Sequence, residues 1–411
     1  MPLKLRAALI AGATLLLPRL AFAEPVTLEE VVARAISAAP ELQARDAGVA
    51  AARAEQVQAG LKPNPVLSVE AENVAGSGNY SVFEQSELTV TYEQPIERGG
   101  KRAARVAVAA RGIELAEAQA RVTRLDLAQQ VQRAFIDVQI AGQLVWIAQR
   151  RLEVEKAMQT EALRRVRAYR DPLFVETRAD ARVTEAELAV AETKSRFDAA
   201  RALLASFWGG DPASIEVPEG IEKPISLSAE LAAADAAVSD AAIERASAEV
   251  VLEQSRAVQD YSVSGGARFL RETNDVALVA GVSIPLGRFD RNQGNIERTR
   301  AERRRLEFEA EAARLARLRR LASLRAEAEA ARMRAEGIMQ DVYPKATRAL
   351  EQVREGYNRG GFRFSDVQDA ADAIVAVQQQ WVEAMTRYRD VHSEIDRLTG
   401  RFDALDGEIL P

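Results

Sequence analysis

Apolar and polar residues alternate with period two in four short stretches of the chain. Leu67, Val69 and Ala71 fall on one face, with Ser68, Glu70 and Glu72 on the other. Leu88, Val90 and Tyr92 oppose Glu87, Thr89, Thr91 and Glu93. Tyr261, Val263, Gly265, Ala267 and Phe269 share a face, and Val276, Leu278, Ala280, Val282 and Ile284 alternate in the same way. This pattern predicts four strands. They form two hairpins, with turns at Gly76-Ser77-Gly78-Asn79 and Glu272-Thr273-Asn274-Asp275. Pro95 and Pro285, 190 residues apart, end the second strand of each hairpin, and a long charged helical pattern follows almost at once.

The rest of the chain reads as helix. Thr27 and Glu30 have the spacing of a capping box and open a first helix that stops before Pro40. A second helix runs from Pro40 to about Leu61, where Lys62-Pro63-Asn64-Pro65 breaks it. From Lys101 to about Tyr169, Val106, Ile113, Ala120, Leu127, Ala134 and Ala141 recur every seven residues. Such a helix is about 100 Å long. Arg170-Asp171-Pro172-Leu173 turns it, and Val175–Phe207 runs back as an antiparallel partner. Trp208–Ser228 reads as loop. The order then repeats: helix from Ser228, two strands, a long helix from Asn292 to Tyr357 with a kink expected at Pro344, a turn at Asn358-Arg359-Gly360-Gly361, and a return helix from Phe364 to Leu398. The expected organisation is a first structural repeat over residues 24–225, a second over 226–402, and a tail over 403–411.

Composition sharpens this picture. Aromatic residues make up only 5 % and charged residues 28 %, a balance that suits long helices. Residues 1–23 read as a signal peptide, with basic Lys4 and Arg6, an apolar core over Leu9–Leu17, and Ala21-Phe22-Ala23 as the cleavage site. Its removal takes the net charge from −6 to −9. After it, no apolar run is long enough for a spanning helix, so a membrane crossing has to use strands in a closed barrel. Four strands cannot close one, because about eight is the practical minimum. Either hairpin alone also fits an ordinary half-buried soluble hairpin. Matched hairpins in both halves, with long small-residue helix seams, point to an oligomer that pools its strands.

The opening TLEEVVARAISAAPELQAR, the doubled order of helix, hairpin and long helix, the turn DPLFVETRADA, and Gly356-Tyr357 with Gly360 and Asp366-Val367-Gln368-Asp369-Ala370 resemble the TolC family of outer-membrane efflux proteins. The resemblance covers nearly all of Thr27–Phe402. Gln94-Pro95-Ile96-Glu97 followed by Gly99-Gly100-Lys101-Arg102 looks most like its heavy-metal, CzcC-like branch. The fold implied is mostly α with membrane β-barrel strands, a TolC-like α/β-barrel. A homotrimer would pool four strands from each chain into twelve in outer-membrane lipid, while the helices extend into the periplasm. The partners implied are an inner-membrane resistance-nodulation-division pump and a periplasmic adaptor. The chain departs from the family at two turns. Arg167-Ala168-Tyr169 stands where a glycine is frequent, and Phe362 where some members place an arginine, with Arg363 one position later.

The chemistry-bearing residues are few. With no cysteine, one histidine and five scattered methionines, no strong metal site is expected, and no cofactor or catalytic constellation is apparent. His392 reads as a helix-surface residue. Arg298, Arg300, Arg303, Arg304 and Arg305 interleave with Glu297, Glu302, Glu307 and Glu309, which reads as a salt-bridged helix surface and not as a nucleic-acid patch. Candidate gate residues lie at the helical tips: Asp171, Arg363, Asp366 and Asp369. Aspartates repeated around an axis attract cations, although Asp366 also suits a helix cap. Glu70, Glu72, Glu87 and Glu93 are lumen-facing candidates if the apolar strand face meets lipid. The expected function is an efflux outlet, with metal cations or organic compounds as cargo. A periplasmic adaptor and a purely structural coiled coil are the alternatives.

Overall fold

The computed structural model describes residues 26–217 and 230–403. The signal peptide expected over residues 1–23, the boundary between the halves at 225–226, and all of the tail after its first residue lie outside the described residues.

Helix α1 (Leu28–Ala38) begins with the predicted capping box: Glu30 N–H donates to Thr27 Oγ1 at 3.3 Å and Thr27 N–H to Glu30 Oε2 at 3.0 Å. Helix α2 (Pro40–Ala59) leads into β1 (Val66–Glu72) and β2 (Glu87–Ile96), and β2 into α3 (Lys101–Arg167), which α4 (Phe174–Ser206) follows back. The order then recurs as α5 (Ala233–Arg256), β3 (Tyr261–Leu270), β4 (Asp275–Ser283), α6 (Gln293–Gly337), α7 (Tyr343–Asn358) and α8 (Phe364–Thr399). The four strands form one antiparallel sheet in the order β1-β2-β3-β4, so the β2–β3 pair joins the two hairpins and β1 and β4 are its edges.

The helices form a shaft at one end of the sheet. Small residues at the seams let backbones approach closely; Ala128, Ala134, Ala162, Ala179 and Ala186 are all buried. The largest apolar core sits where α1 lies against α3, with Val31, Val32, Leu125, Val131, Phe135, Leu204 and Phe402. A second core lies at the tips, where Met158, Val175, Leu350, Tyr357, Phe364 and Val367 gather the two helical hairpins.

One expectation is refined and one is corrected. A π-helical turn, Ile338–Val342, lies between α6 and α7 just before Pro344, where the sequence predicts a kink. Proline lacks an N–H and its ring crowds the carbonyl four residues back. One widened turn, in which Tyr343 N–H donates to Ile338 O, accommodates it without ending the helix. His392 is not on the surface. It is buried beside Arg389 and Asp396 on α8, edge-on to Tyr388 at 4.6 Å, and burial lowers its pKa. Around it α8 is tied to its neighbours by charge. Arg397 pairs with Asp126 at 2.5 Å and Asp235 at 2.8 Å, and Asp396 accepts from Gln132 at 2.7 Å and Arg401 at 3.0 Å. The arginine run on α6 is a salt-bridged surface, with Arg300–Glu297 at 2.6 Å and Arg303–Glu307 at 3.2 Å.

Candidate functional site

The strand register sorts the side chains of the sheet onto two faces. Leu67 pairs with Tyr92, Val69 with Val90, and Ala71 with Leu88. Across β2–β3, Leu88 meets Phe269 and Val90 meets Ala267; across β3–β4, Phe269 meets Val276 and Ala267 meets Leu278. One face of all four strands is therefore apolar. It is exposed in the single chain, with Leu67 at 69 % and Leu278 at 89 %. The opposite face carries Glu70 against Thr89, Glu72 against Glu87, and Thr89 against Arg268. Glu93, opposite Val66 and Ser264, shares it, as does Asp275 opposite Leu270. The four glutamates singled out from the sequence thus share the polar face, opposite the apolar one. At 9 to 10 residues β2, β3 and β4 match the length that crosses a bilayer when tilted, and β1, at 7, is shorter. No described helix is long and apolar enough to do so.

A polar knot ties the sheet to the shaft. Arg105 forms an ion pair with Glu97 and also donates to the carbonyls of Ala59 at 3.3 Å and Leu61 at 3.2 Å, which closes the C-terminal end of α2. Asp260 accepts from Arg98 N–H at 2.8 Å and from Lys101 Nζ at 2.7 Å. Arg105 holds the Glu97 carboxyl below the usual carboxylate range. Three of the four strand–helix connections meet in this knot. The fourth, from β4 to α6, is held at α6, where Asn292 Nδ2 donates to Glu253 O at 2.9 Å. Before it, Ile284, Leu286 and Phe289 are exposed.

At the far end of the shaft the turn 168–173 joins α3 to α4, and the turn 359–363 joins α7 to α8. Asp171 accepts from Arg165 at 2.9 and 3.2 Å and from the Tyr357 hydroxyl at 2.6 Å. Arg165 also donates to Tyr357 O at 2.9 Å and stacks over its ring at 4.1 Å. The Arg165 guanidinium, and after it the Tyr357 hydroxyl, holds the Asp171 carboxyl below its ordinary range. Asp171 therefore clamps one helical hairpin to the other within the chain. Asp366 accepts from Arg363 N–H at 2.7 Å at the start of α8. Arginine offers no side-chain acceptor, so this is one half of a capping box, and Arg363 O receives Asp366 N–H at 3.1 Å. Asp369 and Arg363 are exposed.

The structure thus brings Asp171 to the clamp, Asp366 to a cap, and leaves Arg363 and Asp369 open at the same tip. Sequence reasoning passed over Arg165, Tyr357 and Arg268. Tyr357 stood inside the quoted turn motif, and Arg268 is the one basic residue in the four strands. Among the described residues no three His, Cys, Asp or Glu side chains converge in a way that could hold a metal ion.

A two-faced sheet with two open edges, set on a shaft about 100 Å long, suits a membrane channel. The outer membrane efflux protein family matches residues 31–210. The chain is 31 % identical over 399 residues to the cobalt-zinc-cadmium resistance protein CzcC of Cupriavidus metallidurans, covering 92 % of this chain and 91 % of that one. It is 28 % identical over 306 residues to the nickel-cobalt-cadmium resistance protein NccC of Alcaligenes xylosoxydans xylosoxydans, covering 72 % and 69 %. In fold it is similar to the outer membrane protein VceC of Vibrio cholerae, with a TM-score of 0.71 at 19 % identity over 91 % of this chain and 96 % of that one. The chain belongs to the outer membrane efflux protein family. It is an outer-membrane efflux channel protein whose shaft extends into the periplasm. That membership answers the adaptor and coiled-coil alternatives.

Proposed function

We propose that the chain forms a homotrimeric outlet duct for heavy-metal cations and works with an inner-membrane resistance-nodulation-division pump through a periplasmic adaptor. The observation that carries the trimer is the pair of open edges, β1 and β4, on a sheet with one apolar face. Unpaired edges are not tolerated in hydrocarbon, and three copies pool twelve strands into a closed barrel. The two halves, residues 24–225 and 226–402, act as structural repeats that each supply one hairpin of strands and one of helices. The apolar strand face meets lipid, and Glu70, Glu72, Glu87 and Glu93 line the lumen.

Metal cations as cargo are supported by the resistance proteins CzcC and NccC and by a polar strand face that carries five carboxylates and one guanidinium. The chain acts as a conduit and catalyses nothing. Deletion in the native host is expected to raise sensitivity to cobalt, zinc, cadmium or nickel, restored by the gene in trans. Sensitivity to organic toxicants alone would assign the duct to organic cargo. The mass of the detergent-extracted protein reads the trimer directly.

At the tips, we infer that Asp369 and Arg363 face the channel axis, that Asp366 holds the start of α8, and that the Asp171 clamp keeps the end narrow. In planar bilayers D366A/D369A is expected to lower cation selectivity. Unchanged selectivity would remove these aspartates from the permeation path.

A further inference from the structure

We propose that Arg268 sets the charge of the duct at the outer end of the barrel and keeps two facing glutamates from capturing the divalent cations that pass. The proposal rests on the lumen-facing reading of the polar strand face.

Glu72 and Glu87 are directly opposite each other across the β1–β2 pair. Like charges in that position repel and weaken a sheet. Arg268, on β3, reaches both: its guanidinium lies 3.2 Å from Glu72 Oε2 and 2.8 Å from Glu87 Oε2, and its Nε donates to Thr89 Oγ1 at 3.0 Å. One planar fork thus spans three strands. None of the three charged side chains is buried, at 35 %, 43 % and 24 % exposed for Arg268, Glu72 and Glu87. They meet the solvent on that face.

The position matters as well as the pairing. Arg268 is two residues from the end of β3, beside the turns that close both strand hairpins. Towards the helices, β3 carries only Gly266, Ser264 and Ser262 on the same face. Gly266 is required there: a Cβ would lie 2.1 Å from Val90 O. Long charged side chains are thus concentrated at the turn end, where Glu70, Glu72, Glu87 and Asp275 surround one arginine. A passage for cations needs attraction strong enough to admit them and weak enough to release them. Two facing carboxylates with no partner are a ready chelating pair for a divalent ion. The Arg268 guanidinium occupies the place between them, so the wall stays negative without holding its cargo.

The test is single-channel recording of the full-length protein in planar bilayers, in potassium chloride with and without zinc sulfate. R268Q is expected to raise the potassium-to-chloride permeability ratio about twofold or more. It should also lower the zinc concentration that halves the current by about tenfold. R268K keeps the charge and is expected to restore both values. R268Q channels that conduct with wild-type selectivity and zinc response would overturn the proposal. Should R268Q fail to assemble, E72Q/E87Q with Arg268 intact must lower the permeability ratio, and an unchanged ratio overturns the proposal equally. The lumen reading is checked separately, because the chain has no cysteine. R268C must react with a water-soluble thiol reagent in the liposome-embedded channel, while L278C must not. The reverse pattern overturns the lumen reading itself.

Discussion

The two helical tips end long helices with the same hydrogen bonds and different residues. At the end of α3, Tyr169 N–H donates to Val166 O at 2.9 Å and Arg170 N–H to Arg165 O at 2.9 Å. At the end of α7, Gly360 N–H donates to Tyr357 O at 3.0 Å and Gly361 N–H to Gly356 O at 2.8 Å. Both are Schellman motifs, which place one residue in the left-handed region. Gly360 takes that role at φ +85°, as expected of glycine; at the other tip Tyr169 takes it at φ +56°. The glycine tip is closed by packing: Phe362 lies over Gly356 so closely that a Cβ there would fall 2.2 Å from the ring. The tyrosine tip is closed by charge, through Arg165 and Asp171. Through Tyr357 that same charge reaches the glycine tip. The lesson is one of dependence: the α3–α4 tip is held by its own ion pair, and the α7–α8 tip is held partly by its neighbour.

Removing Asp171 tests this dependence most severely. The Arg165 side chain is 9 % exposed, and D171A leaves its charge without a carboxylate. The expected loss is about 3 kcal/mol of local stability. Hydrogen exchange should quicken in both tips, across residues 160–175 and 350–363, and the single-channel conductance should rise. Exchange that quickens only in the α3–α4 tip would break the comparison and make the tips independent. Y357F keeps the ion pair and removes one hydroxyl donor, so its cost is about 1 kcal/mol, confined to the link between the tips.

The same clamp predicts a pH dependence with a definite sign. The Asp171 pKa is lowered in the folded chain, chiefly by Arg165. Its contribution is therefore present above the ordinary aspartate value of about 3.9 and is lost as pH falls through the lower folded value. Protection of the tip amides, taken relative to their intrinsic exchange rate at each pH, should stay constant from neutral pH to about 5 and fall only below about 4. Loosening between pH 7 and 5 would point to a different group.

Much of this architecture was legible in the sequence because it is local. Period-two alternation placed all four strands, since a one-residue slip would move every apolar side chain to the wrong face. Thr27 and Glu30 announced the first helix because a capping box needs only four consecutive residues. The clamp was not legible: Arg165 and Asp171 are neighbours in sequence, but Tyr357 O, which Arg165 reaches, lies 192 residues away. Nothing local marks that meeting. His392 misled because it sits among Arg389, Asp390 and Glu394, a polar neighbourhood, while the tertiary fold turns its ring into the shaft. Arg268 was hidden for the opposite reason. The acids on its face form a pattern, and a single base within that pattern stands out only where the register puts it between two of them.

The smallest effect returns to the difference between the tips. A non-glycine residue in the left-handed region costs about 1 kcal/mol, and Tyr169 is 97 % exposed, so it recovers nothing by packing within the chain. Y169G relieves that backbone cost but gives the unfolded chain more freedom, which offsets part of the gain. The net expectation is a tip more stable by about 0.5 kcal/mol, read as slower exchange at residues 166–171. No slowing would mean that the tyrosine stabilises the turn itself, and the two tips would then be equivalent solutions. Slowing together with weaker metal resistance in cells would mean something else. A strained, exposed aromatic residue at the end of the shaft would then serve contact with another protein, and the tyrosine tip would be the one that meets it.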